Sequence, residues 1–87
     1  MTLKRWDYNH HEYIEIKVPS DWNVRGYCDD LTEIINCACC GKEIQFGNSY
    51  TSQEIHNYAG IGYCVCSNCH KVEMNRMLKY RRPEKRV

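Results

Sequence analysis

Two Cys-x-x-Cys pairs, Cys37–Cys40 and Cys66–Cys69, are separated by 25 residues in a chain of 87. Two intervening residues let a tight turn carry both sulfurs to one ion, at about 2.3 Å for zinc. A fold that uses both pairs must bring residues 37–40 onto residues 66–69. The chain also needs such a staple, because one this short buries a modest fraction of its surface. Its apolar share of 43% counts seven cysteines and seven tyrosines but one phenylalanine, and the mean hydropathy is −0.70. One small domain, residues 1–87, is expected.

Other uses of the cysteines fit less well. A secreted disulfide scaffold is disfavoured by the odd count and by the ligand spacing. The opening "MTLKRWDYNHHEY" has no apolar leader run, so cytoplasmic location with reduced thiols is expected. No segment is long and apolar enough to span a membrane. Thioredoxin-type chemistry needs a βαβ setting that the sequence lacks, and an iron–sulfur cluster lacks a supporting spacing.

Within "NCACCGKEI", Cys37 and Cys40 are the better ligands. Cys37 with Cys39 leaves one residue between sulfurs, and adjacent Cys39 and Cys40 would be strained. Gly41 supplies the positive φ of the turn, and backbone N–H groups there can point at the sulfurs. Cys66 and Cys69 open a helix, where the first-turn N–H groups favour thiolate at Cys69. Four cysteines close the shell around one structural zinc, whose binding free energy becomes folding free energy. No enzyme is expected from such a shell. Cys64 reads as a small core residue, and Cys28 and Cys39 as partly buried thiols. The alternative is a second zinc that uses these three with His10, His11 or His56.

"YIEIKV" (residues 13–18) alternates as a half-buried strand with Ile14, Ile16 and Val18 inward, ended by a turn at Pro19-Ser20-Asp21. Residues 1–11 show no clear period. Trp22 is expected to be buried. "DDLTEIIN" reads either as a helical turn capped by Asp30 and Glu33 or as a short strand over 32–36. Gly47-Asn48 and Gly60–Gly62 are turn signals, with one or two short antiparallel strands between the cysteine pairs. A helix runs from Ser67 to its stop at Pro83. The layout is thus an N-terminal strand and loop (12–36), a metal-stapled core (37–82) and a basic tail (83–87).

The stretch "CACCGKEIQFGNSY…GIGYCVCSNCHKVE" resembles treble-clef zinc fingers, in which knuckle, β-hairpin and helix share one zinc. Its Cys-x-x-Cys-Gly-Lys-x-Ile opening is similar to half of a LIM domain. The closing Cys-x-x-Cys-x-x-x-Glu is similar to the DksA/TraR family, which acts on bacterial RNA polymerase, and to small Gin-type anti-sigma proteins. The resemblance covers residues 37–75. It implies an α+β fold and a regulatory role through protein–protein interaction, directed at transcription machinery. A LIM domain has two zinc sites where one is read here, and DksA-type proteins place a long helical hairpin before the finger. "CSNCHK" is also similar to the end of zinc-bearing HNH nucleases, which would cast His70 as a metal ligand and His56 as a base. There, an acidic residue precedes the base, where this chain has Ile55.

Charge is uneven: residues 1–70 carry a formal −4 and residues 71–87 a formal +5. At 100° per residue, Cys69, Met74, Met77, Leu78 and Tyr80 share one broad arc of the helix, read as core or partner surface. Lys71, Lys79 and Arg82 take the other side, with Arg76 beside them. This stripe, Lys71–Arg86, is the candidate nucleic-acid surface through counterion release. Met77 and Leu78 are the candidate protein-partner surface.

Overall fold

The computed structural model describes residues 2–81, with side chains to residue 79. Arg82, Pro83 and the tail therefore lie outside the described residues. The fold is α+β. Strands β1 (Thr2–Asp7), β2 (Glu12–Lys17), β5 (Tyr50–His56) and β6 (Gly62–Val65) form an antiparallel sheet in the order β2-β1-β5-β6. Strands β3 (Ile34–Asn36) and β4 (Glu43–Gln45) pair separately around the first cysteine pair, and helix α1 (Ser67–Arg81) follows β6 at once.

The patternless N-terminus is a strand after all. β1 carries one buried aliphatic, Leu3, among polar and aromatic residues, too little to mark a period. It pairs with β2 along its whole length, from Thr2 opposite Lys17 to Asp7 opposite Glu12. The turn between them is closed by the Asn9 N–H donating to the Asp7 carboxylate, with His11 at φ 52.

The half-buried reading of "YIEIKV" holds only at its end. Ile14 is 40% exposed, Ile16 is partly covered, and Val18 is buried. β2 is an edge strand, and the helix packs chiefly on β5. Ile34–Asn36 takes the strand alternative, and Asp30 caps only a turn, accepting from the Thr32 N–H and hydroxyl. Three strands, β4, β5 and β6, lie between the cysteine pairs instead of one or two. A 3-10 turn fills Phe46–Asn48, and Gly60 turns at φ 90.

The core packs Leu3, Val18, Val24, Ile55 and Val65 against Cys37, Ala38 and Cys66, with Trp22 partly buried against it. The helix presents a different face from the expected one. Glu73 is buried at 3% exposure, while Leu78 is 65% exposed. Cys69, Glu73 and Met77 repeat at helical spacing on the sheet side, and Leu78 falls opposite. Met74 and Met77 are partly buried. No helix among the described residues is long and apolar enough to cross a membrane.

Candidate metal centre

Each cysteine of the centre is placed by its neighbours. Cys37 follows β3 directly, and the turn back into β4 is closed by its N–H donating to Lys42 O and by Gly41 N–H donating to Cys37 O. Gly41 sits at φ 81, and a Cβ there would run into the Trp22 ring, so glycine is required twice over. Asn36 holds the turn from below, its side-chain amide donating to Gly41 O. Cys66 immediately precedes α1, and Cys69 lies in the first turn. One link between the two halves is the Ala38 N–H, which donates to Cys64 O at 3.0 Å.

The sulfurs of Cys37, Cys40, Cys66 and Cys69 all lie within 4.8 Å of one another. A tetrahedral zinc–thiolate shell with bonds of about 2.3 Å sets its sulfurs roughly 3.8 Å apart. Cys40 Sγ and Cys66 Sγ stand at 3.9 Å. Backbone donors already face these sulfurs. The N–H groups of Cys39, Cys40 and Cys66 point at Cys37 Sγ at 3.4, 3.5 and 3.3 Å, and the Cys69 N–H points at Cys66 Sγ at 3.5 Å. Such donors stabilise thiolate rather than thiol. The residues therefore fit one metal ion held by four sulfurs.

The thiolate favoured at the helix start is Cys66 rather than Cys69. Burial opposes ionisation of Cys66, yet the Cys69 N–H and the surrounding thiols bring it down to about 7. Burial raises Cys69, and its hydrogen bonds to Cys66 and Cys40 raise it further. Burial likewise raises Cys40. Cys66 wins because it accepts the N–H that a first-turn residue donates. A divalent ion would draw all four into thiolate form.

The remaining candidates disperse. Cys64 and Cys28 are buried beside Ile35, whereas Cys39, expected partly buried, is exposed and accepts from Arg5 Nη2 at 3.3 Å. His10 bonds Asp7, His11 packs edge-on to Trp6, and His56 packs edge-on to Tyr13. Among the described residues no second group of three ligands converges. His70 stacks on Tyr50 at 4.4 Å, at the opposite end of β5 from His56. Six strand steps put Tyr50 and His56 roughly 20 Å apart, so the two histidines share no site. Lys71 and Lys79 are exposed. Arg76 is drawn inward, its Nε and Nη2 donating to the two Glu54 oxygens at 2.8 and 2.6 Å.

That pair belongs to a network the sequence does not announce. Between Thr51 and His56 the register of β5 on β6 shifts, which frees strand N–H groups from the ladder. Glu73 of α1 receives them: its carboxylate accepts from the N–H of Gln53 and Glu54 and from the Ser52 hydroxyl, at 2.8, 3.2 and 2.6 Å. Ser52 Oγ in turn accepts from the N–H of Glu54 and Ile55. Glu73 is the last residue of the closing Cys-x-x-Cys-x-x-x-Glu, and that spacing was the one available signal. Comparison with family models, curated proteins and solved structures finds no match.

Proposed function

We propose that this chain is a zinc-stapled treble-clef module that acts by binding another protein and performs no catalysis. The observation that carries the reading is the four-sulfur cluster, Cys37, Cys40, Cys66 and Cys69. Four thiolates leave a zinc ion no open position for water or substrate, which is the arrangement of structural sites. The order of knuckle, β5–β6 hairpin and helix supports the treble-clef assignment. The outward helix face sets apolar Val72 and Leu78, 49% and 65% exposed, beside Lys71 and Lys79. A mixed apolar and basic face suits an acidic protein surface, and the likeness to DksA/TraR and Gin-type fingers makes transcription machinery the class of partner.

The ion is tested by native mass spectrometry of protein purified without added metal: one zinc per chain is expected, with Cys28, Cys39 and Cys64 still open to alkylation after denaturation. The mode of binding is tested by salt. Partner capture that survives high salt and is lost on Leu78→Glu or Val72→Glu supports protein recognition. Nucleic-acid binding with a steep salt slope, lost when Lys71, Lys79 and Arg82 become Glu, would replace it.

A further inference from the structure

The sheet has two edges of opposite character. Next to β6 the chain covers the edge: Cys64 N–H donates to Arg25 O at 2.8 Å, and Ala38 N–H to Cys64 O. At the other edge stands β2, whose one strand neighbour among the described residues is β1. An open edge is a template for another strand, and proteins that leave one unused blunt it with charged side chains, proline, bulges or brevity. β2 carries charges, Glu12, Glu15 and Lys17, but within the strand no proline and no bulge. It is six residues long, pairs regularly with β1 throughout, and exposes Tyr13 at 47% and Ile14 at 40%.

The order of residues along this edge selects its occupant. A two-fold axis normal to a sheet makes one residue of the strand its own partner, and its flanking residues then pair crosswise on the same face. Centred on Glu15, two copies of β2 would set carboxylate against carboxylate. Centred on Ile14, they would set Tyr13 against Glu15 and Glu12 against Ile16. Centred on Ile16, Glu15 faces the second copy's Lys17 twice over. Ile16 then meets its own copy, and Ile14 meets the second copy's Val18, one residue beyond β2. All charges on one face are matched, and the apolar face continues across the axis. The strand is complementary to itself in this register alone among the three.

We infer that a second copy of this chain pairs along β2, about a two-fold axis through Ile16, to form one eight-stranded sheet. Glu15 then lies between Lys4 of its own β1, which it faces in the ladder, and Lys17 of the second copy. Residues 14–18 of each copy pair in this register and make a small interface, so the association is concentration-dependent.

Sedimentation equilibrium of the zinc-loaded protein, from micromolar to millimolar concentration, tests this directly. The wild-type chain is expected to dimerise. Glu15→Lys and Lys17→Glu each turn two attractive cross-strand pairs into repulsive ones and should weaken the dimer by about tenfold to a hundredfold. The two variants mixed in equal amounts should restore association as a heterodimer, because each supplies the charge the other lacks. Lys17→Glu also guards against a folding artefact, since Glu15 alone bonds the Tyr58 hydroxyl. A wild-type chain that stays monomeric at millimolar concentration overturns the proposal. So do single variants that dimerise as well as wild type, or a mixture that does not associate.

Discussion

The first turn of α1 and the turns that follow are fastened to the same sheet by different chemistry. The first turn is held by soft donors: Cys66 and Cys69 meet Cys37 and Cys40, and the ion they fit would supply the attraction. Further along, Glu73 and Arg76 are held by hard ones: a carboxylate caps the displaced N–H groups of β5, and a guanidinium grips Glu54. The first attachment is conditional on metal, and the second is complete in the polypeptide itself. In a chain with few aliphatics the helix has little apolar area to hold it, and these polar and ligating attachments add to the partly buried Met74 and Met77.

The contrast can be broken at the metal end first. Structural zinc contributes roughly 10–16 kcal/mol at neutral pH, as much as the whole stability of a small domain. Chelation, or Cys37→Ser, should therefore unfold the chain, read as loss of far-ultraviolet circular dichroism and of dispersed amide resonances. If α1 stays docked without metal, the second attachment is the stronger one. That attachment breaks next. Arg76→Ala strands the Glu54 carboxylate, which is 1% exposed, and should cost about 2–4 kcal/mol in urea titrations of zinc-loaded protein. Replacing both partners, Glu54→Leu with Arg76→Leu, should cost less than Arg76→Ala alone, because no buried charge is left unpaired.

A finer cut separates charge from shape. Glu73→Gln keeps the size of the side chain but puts a donor where an acceptor faces N–H groups, and about 1–3 kcal/mol should be lost with zinc content unchanged. The smallest effect belongs to the Asp7–His10 pair at the hairpin tip, 2.7 Å long, in which His10 is exposed and Asp7 half-buried. Its hydrogen bond raises His10 above 6.5 and lowers Asp7 below 3.8. The His10 contribution is full below pH 6.5 and fades as pH climbs through its raised value. The Asp7 contribution is full above pH 3.8 and fades as pH falls through its lowered value. The pair thus acts most fully between the two, and Asp7→Asn should return His10 toward 6.5 in an NMR titration.

What the sequence discloses follows the same division. Spacing alone marks Cys37, Cys40, Cys66 and Cys69, the glycine turn at Gly41 and the start of α1, because metal geometry leaves few ways to write them. The second attachment has no such grammar. Ser52, Glu54, Glu73 and Arg76 look like surface residues until a register shift in β5 and the helix face bring them together. Periodicity leaves Leu78 open between core and partner surface, and it does not mark Glu73 for burial, since it assumes that the buried side of a helix is the apolar one. β1 escapes notice for a related reason: its outer face carries Lys4 and Trp6, which pack on Tyr13 and Tyr58 rather than marking an inside and an outside.

The register shift in β5 has a kinetic corollary. In an ordinary strand an amide proton is shielded by the neighbouring strand and exchanges when the two separate. The amides of Gln53, Glu54 and Ile55 are shielded instead by side chains, two of them by one from α1. The deuterium clock of mid-β5 is therefore set by lifting of the helix, and Gln53 and Glu54 should exchange in step with the amides of α1 rather than with those of β6.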